Sequence, residues 1–111
     1  MISTGQLTER LSLQPLVEPM PEELDIRGCY IGDLLSNVMA QAQPGDLWLT
    51  VMTNPNIVAV TQLLGLAGIV ILEGHKPMDE ALERAGKEGI MIFSSNDSAY
   101  ALAGRLQAMG I

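Results

Sequence analysis

The sequence predicts an α/β fold: a three-layer α/β/α arrangement around a mostly parallel central sheet of about four to five strands, with residues 1–111 forming one domain. Three observations lead there. Helical and extended patterns alternate from end to end, punctuated by short Gly and Pro turns. The stretches DLWLTVM (46–52), GIVILE (68–73) and IMIF (90–93) are largely apolar on both faces, as strands covered by helices on each side must be. No two-residue hairpin signal separates these stretches, so they are joined by crossovers, and crossovers connect parallel strands.

Each element has its own local cause. Ser3 and Gln6 form a capping-box pair and Ile2 can staple onto Leu7, which opens a first helix reaching Leu11. Residues 13–18 read as a short extended piece that Pro19 and Pro21 end. Residues 24–31 read as a strand with Ile26 inward, broken at Gly32. Asp33 then caps a helix with Leu34, Leu35, Val38, Met39 and Ala42 on one face. Pro44-Gly45 turns the chain into the first of the three apolar strands. Asn54 caps and Pro55 starts the next helix, whose Ile57, Val58, Val60, Leu63, Leu64 and Leu66 leave almost no polar face, so it must be buried, in part against another subunit. After the second apolar strand, Pro77 begins a helix with Asp79 and Glu80 in its first turn and Met78, Ala81, Leu82 and Ala85 inward; Gly89 ends it. Ser95 caps the last helix, which carries Leu102 and Leu106 inward.

Composition narrows the function. Hydrophobic residues make up 48% and charged ones 17%, the balance of a chain that folds around a core. The net charge of -7 with scattered Lys and Arg argues against nucleic acid and anionic membrane as partners, because counterion release needs a basic stripe. The single cysteine, Cys29, builds neither an internal disulfide nor a multi-thiolate metal site and fits a reducing, cytoplasmic setting. It reads as a small buried hydrophobe, Trp48 as core, and the seven Met residues as core or interface filler.

In a parallel sheet the loops at the carboxyl ends of the strands gather on one edge. Four loops qualify: Gly32-Asp33, Thr53-Asn54-Pro55-Asn56, Gly74-His75-Lys76 and Ser94-Ser95-Asn96-Asp97. Their amides, hydroxyls, imidazole and ammonium suit a small polar or phosphorylated ligand. Helix N-termini at Asn54 and Ser95 would offer N–H groups, Lys76 the counter-charge, and Asp33 and Asn56 orientation. Asp33, Asn54 and Ser95 are equally the residue types that cap helices. Gly74-His75-Lys76 is the best anion contact, since Gly74 allows close backbone approach. No GxxxxGK[ST] loop, GxGxxG turn, GxSxG elbow or His pair is present, and capping carboxylates such as Asp33 and Asp97 make poor proton donors. The residues therefore point away from an enzyme and assign no catalytic group, no metal site and no cofactor.

The runs Tyr30-Ile31-Gly32-Asp33-Leu34-Leu35-Ser36, Gly45-Asp46-Leu47-Trp48-Leu49-Thr50 and Asn56-Ile57-Val58-Ala59-Val60, followed by Ala67-Gly68-Ile69-Val70-Ile71 and Ala101-Leu102-Ala103-Gly104-Arg105-Leu106, resemble the small stand-alone DRTGG-domain proteins of anaerobic bacteria. The resemblance covers most of the chain. It implies a regulatory or ligand-sensing domain similar to modules attached to phosphate acetyltransferases and CBS-containing pyrophosphatases, with a fold like the amino-terminal domain of HPr kinase and a tendency to self-associate. The kinase chemistry of that last group lies in a separate P-loop domain, which this chain lacks. Where larger members carry an Asp-Arg pair entering the central helix, this chain reads Thr53-Asn54, so a ligand held by that arginine is not implied.

The function expected is thus a non-catalytic regulatory or sensory domain, homodimeric, holding a small anionic metabolite or nucleotide at the carboxyl edge of the sheet. The alternative is a protein-interaction subunit that docks to a redox or signalling partner without a small-molecule ligand.

Overall fold

The computed structural model describes residues 2–111. The elements run α1 (Thr4–Leu11), β1 (Gln14–Pro15), β2 (Gly28–Ile31), α2 (Leu35–Gln41), β3 (Asp46–Thr50), α3 (Asn56–Leu64), β4 (Gly68–Ile71), α4 (Asp79–Glu88), β5 (Ile92–Ser94) and α5 (Ala99–Ala108). They make one five-stranded sheet in the order β1-β5-β4-β3-β2. Strands β2 to β5 are mutually parallel, and only the two-residue β1 is antiparallel, pairing Gln14 with Ser94 and Pro15 with Phe93.

Side-chain alternation divides the core in two. One face of the sheet presents Leu47, Leu49, Val70 and Phe93 to Leu7 and Leu11 of α1 and to Leu102 and Leu106 of α5. The other presents Trp48, Ile69, Ile71 and Ile92 to Val38 of α2, Ile57, Val58 and Val60 of α3, and Ala81 and Ala85 of α4. The architecture is the expected three-layer α/β fold. Strands β3 and β4 are covered on both faces, which is why their residues from Leu47 to Thr50 and from Gly68 to Ile71 are all buried. Each large apolar side chain so buried contributes about 1.5–3 kcal/mol, and Trp48 and Phe93 are fully inaccessible.

The first helix begins as the sequence indicates: the Ser3 N–H donates to Gln6 Oε1 at 2.9 Å, one half of the capping box. Gly89 ends α4 with φ 70°, a left-handed cap that a glycine adopts without steric cost.

Four expectations are corrected. Residues 24–27 do not extend β2. Ser3 instead makes an isolated antiparallel bridge with Asp25, the Thr4 N–H donates to the Leu24 carbonyl at 2.9 Å, and the Ile26 N–H to the Ile2 carbonyl at 2.8 Å. This stretch thus pairs with the amino-terminal segment, by one isolated bridge, and not with the sheet. Second, Asp33 does not cap α2, whose N-cap position is Leu34; Leu34 is 60% exposed and Met39 48%, so only Val38 and Ala42 of the proposed face are buried. Third, Ser98, not Ser95, caps α5, accepting from the Ala101 N–H at 3.2 Å. Fourth, α3 and α4 start at Asn56 and Asp79, each later than the prolines Pro55 and Pro77 expected to open them; the N-cap position of α3 is Pro55 and not Asn54, and Met78 is exposed.

The nearly all-apolar α3 has a local explanation. It lies between α2 and α4 as well as on the sheet, so its flanks are consumed within the chain and Leu63 is its one strongly exposed large apolar residue. Its composition therefore does not require a second subunit.

Candidate functional site

Because β2, β3, β4 and β5 run the same way, the turns that follow them leave from one edge of the sheet. Hydrogen bonds stitch these turns into a continuous rim. Asp33 Oδ1, just beyond β2, accepts from Thr50 Oγ1 at 2.7 Å and from the Val51 N–H at 2.9 Å, both at the end of β3. The Met78 N–H donates to the Thr53 carbonyl at 2.9 Å, joining the turn after β3 to the start of α4. The Gly74 N–H donates to the Ser95 carbonyl and the Glu73 N–H to the Asp97 carbonyl, each at 3.0 Å, joining the turns after β4 and β5. The structure thus brings the ten candidate residues Gly32, Asp33, Thr53, Asn54, Asn56, Gly74, His75, Lys76, Ser94 and Ser95 onto one edge.

They are not equally available to a ligand. Asp33 spends one carboxylate oxygen on Thr50 and Val51. Asn54 Oδ1 accepts from the Asn56 N–H at 2.9 Å, which closes the first turn of α3, and Ser95, itself buried, accepts from the Asp97 N–H at 3.0 Å. The amino termini of α3 and α5, expected to offer free N–H groups, are therefore partly satisfied by their own side chains. Among the described residues, the side chains of Thr53, Asn56, His75, Lys76 and Ser94 make no hydrogen bond, and Asn56, His75 and Lys76 are exposed. Helix α4 carries no side-chain cap, and Pro77 and Met78 link it to Gly74-His75-Lys76. The open hydrogen-bonding capacity of the rim is concentrated there, next to Thr53.

The backbone explains this concentration. Glu73 and Gly74 both take positive φ, 58° and 73°, to reverse the chain between β4 and α4. A Cβ on Gly74 would lie 3.3 Å from Asn96 Oδ1, so a glycine also relieves the contact between the two turns.

Two contributors escaped the sequence reading. Trp48 is not only core: its indole N–H donates to the Gly32 carbonyl at 2.9 Å and pins the exit of β2. Arg105 reaches the rim from α5, pairing with Asp97 and donating to the Leu11 carbonyl at 3.0 Å, so Lys76 is not the rim's sole cation. The eight-residue separation of Asp97 and Arg105 falls outside the three- and four-residue helical spacings that a sequence scan recognises. Cys29 lies half-buried on β2 with its thiol pushed up to about 11, first by burial and then by the charge of Asp46, which keeps it protonated at neutral pH.

Among the described residues, two well-formed concavities lie away from the rim, and neither is lined by a candidate residue. A groove of about 710 Å³ lies between β2 and α5, lined by Cys29, Ile31, Ala99, Tyr100 and Ala103 among others. A smaller one, about 390 Å³, is bounded by Leu24, Asp25, Arg27 and Gly45 at the opposite, amino-terminal edge of β2 and β3. Among the described residues no cluster of three His, Cys, Asp or Glu side chains could hold a metal ion, and no helix is long and apolar enough to cross a membrane.

No protein-family model matches the chain, and no curated protein matches it. Among solved structures it is similar to the crystal structure of the CBS and DRTGG domains of the regulatory region of Clostridium perfringens pyrophosphatase, complexed with the activator diadenosine tetraphosphate. The TM-score is 0.71 at 17% identity, over 93% of this chain and 44% of that one, so this chain spans less than half of its neighbour's length. At that identity the likeness establishes the fold, which is DRTGG-like; it carries nothing about the HPr kinase amino-terminal domain.

Proposed function

We propose that this chain is a non-catalytic regulatory domain of the cytoplasm that binds a small anionic metabolite or nucleotide at the carboxyl edge of its sheet and acts as a homodimer. The observation that carries the reading is the concentration of unused hydrogen-bonding groups at one place on the rim: Thr53, His75, Lys76 and the uncapped amino terminus of α4, around the positive-φ Gly74. Helix amino termini and an adjacent ammonium are the elements that hold phosphate oxygens. The carboxylates nearby do not cancel this everywhere. Asp97 is neutralised by Arg105 and Asp33 is tied to β3, while Glu73, Asp79 and Glu80 flank Lys76, so the Lys76 ammonium and the backbone N–H groups beside it, not the net local charge, would hold a negatively charged ligand. The structurally similar pyrophosphatase regulatory region is complexed with a dinucleotide polyphosphate, which supports nucleotides as the class to test first.

A thermal-shift panel of mono- and dinucleotides, diadenosine polyphosphates and phosphorylated metabolites tests the reading. A ligand at a hundred times its Kd stabilises by about 2.7 kcal/mol, or roughly 11 °C in Tm at an unfolding entropy of about 2.1 cal/mol/K per residue. Lys76→Ala should abolish most of that shift. A silent panel overturns the reading.

A second reading, an interaction subunit that docks to a redox or signalling protein, draws on the groove between β2 and α5, where Ile31 is 46% and Tyr100 92% exposed. It predicts a co-purifying partner and no ligand response.

A further inference from the structure

Strand β2 is the open edge of the sheet: its one neighbour is β3. The ladder to β3 continues past the strand at both ends, through the Arg27 N–H on the Gly45 carbonyl at 2.9 Å and the Gly32 N–H on the Leu49 carbonyl at 3.2 Å. From Arg27 to Gly32 the outer side of this edge presents alternate N–H and C=O groups, and Gly28-Cys29-Tyr30-Ile31-Gly32 contains no Pro, Lys or other charge that would guard it. The groove face beside it is apolar and incomplete. Helices α1 and α5 cover β3, β4 and β5, but over β2 they leave Cys29 and Ile31 facing Tyr100 and the small side chains of Ala99 and Ala103 across an empty groove.

We propose that the occupant of this edge is a second copy of the same chain, the two β2 strands pairing antiparallel about a dyad at Tyr30. This names the surface of the homodimer in the reading above and rests on that part of it. Charge selects the occupant and the register. The neutral edge is flanked by Arg27 at one end and Asp33 at the other, so it is self-complementary when reversed on itself, although the chain as a whole, at net charge -7, would repel a copy approaching elsewhere. Placing Arg27 opposite the partner's Asp33 sets Gly28 against the partner's Gly32, Cys29 against the partner's Ile31 and Tyr30 against its own copy. Asp33 uses only Oδ1 within its chain, so Oδ2 is free for the guanidinium. Arg27 makes no ion pair among the described residues. The parity of this register keeps Cys29 and Ile31 of both chains on the groove face, where the two α5 helices approach over them. Ala103 and Gly104 leave room, since nothing lies within 4 Å of a Cβ built on Gly104. Two five-stranded sheets thereby become one of ten.

Residues directly opposite in an antiparallel pair have Cβ atoms about 4.5–5.5 Å apart, near enough to crosslink with small adjustment. The full-length chain with Ile31→Cys, keeping Cys29, is oxidised with copper phenanthroline and run on a non-reducing gel. Ile31 is 46% exposed, so the substitution leaves the core intact. A second variant, Tyr30→Cys with Cys29→Ser, places one cysteine on the dyad, and Leu63→Cys with Cys29→Ser reports on α3 instead. Disulfide dimers from the first two and not the third are expected, and Arg27→Glu should raise the dimer Kd in sedimentation at least tenfold. A dimer that crosslinks at residue 63 and not at 30 or 31 overturns this surface and leaves the homodimer standing. A chain that stays monomeric to about 1 mM overturns both, while the thermal-shift panel judges ligand binding separately.

Discussion

The rim depends on Asp33, and the role found for it can be separated from the helix cap its residue type suggests. In Asp33→Ala the buried Thr50 hydroxyl, 1% exposed, loses its acceptor and the Val51 N–H loses its partner. Bonds to a charged group are worth about 1.5–3 kcal/mol each when buried. The Val51 bond is exposed and water replaces most of it, so the expected loss is about 2–3 kcal/mol, a fall in Tm of roughly 10 °C for a chain of this size. Asp33→Asn keeps an acceptor at the same place and should cost less than about 1 kcal/mol. The decisive assay is a double-mutant cycle by urea denaturation with Thr50→Val. If the two side chains are partners, the doubly substituted chain should be about 1–2 kcal/mol more stable than the sum of the single losses indicates. A capping Asp33 would instead cost about 1 kcal/mol and be additive with Thr50→Val to within about 0.5 kcal/mol. Additivity would refute the stitching of β2 to β3 described here.

Other perturbations follow from the same geometry. Gly74→Ala, at φ 73° and against Asn96, should destabilise by about 1–2 kcal/mol, whereas Gly86→Ala inside α4, where the nearest atom is 3.8 Å away, should stabilise by about 0.5–1 kcal/mol; both are read from urea midpoints. Phe93→Ala should cost about 3–5 kcal/mol because the ring is wholly inaccessible between α1, α5 and the sheet. Ser98→Ala should lower stability by about 1 kcal/mol through loss of the α5 cap, measured by the same titration. With its folded pKa near 11, Cys29 should label with a maleimide at pH 8 roughly two orders of magnitude more slowly than in urea, the rate climbing as pH rises toward that value. Labelling at the same rate in both conditions would contradict its burial.

The alternation of helices with doubly apolar stretches was enough to read the parallel sheet, because burial on both faces leaves a composition that few other environments produce. The four rim loops were legible for the same reason: once the strands are parallel, their carboxyl ends must share an edge. The functions of individual rim residues were not legible. Asp33 and Ser95 carry the side chains that favour helix caps, but each lies within reach of backbone N–H groups at a strand end or turn, and those bonds win. Ser98 takes the α5 cap that residue type alone assigned to Ser95. The extended residues 24–26 could not reveal that they pair with residues 2–4, since a short extended run does not name its partner. The apolar α3 read as a subunit contact because composition reports total burial, and here α2, α4 and the sheet supply all of it but Leu63.

The central claim is that a ligand site lies where Thr53, Gly74, His75, Lys76 and the start of α4 meet. A titration of the 15N-labelled chain with diadenosine tetraphosphate, followed by amide chemical shifts, tests it most directly. Saturable shifts concentrated at residues 53, 74–76 and 79–80 are predicted, and Lys76→Ala should weaken them. Shifts confined to the groove between β2 and α5 or to the amino-terminal edge around Arg27 and Gly45, or no saturable shifts with any nucleotide, would contradict it.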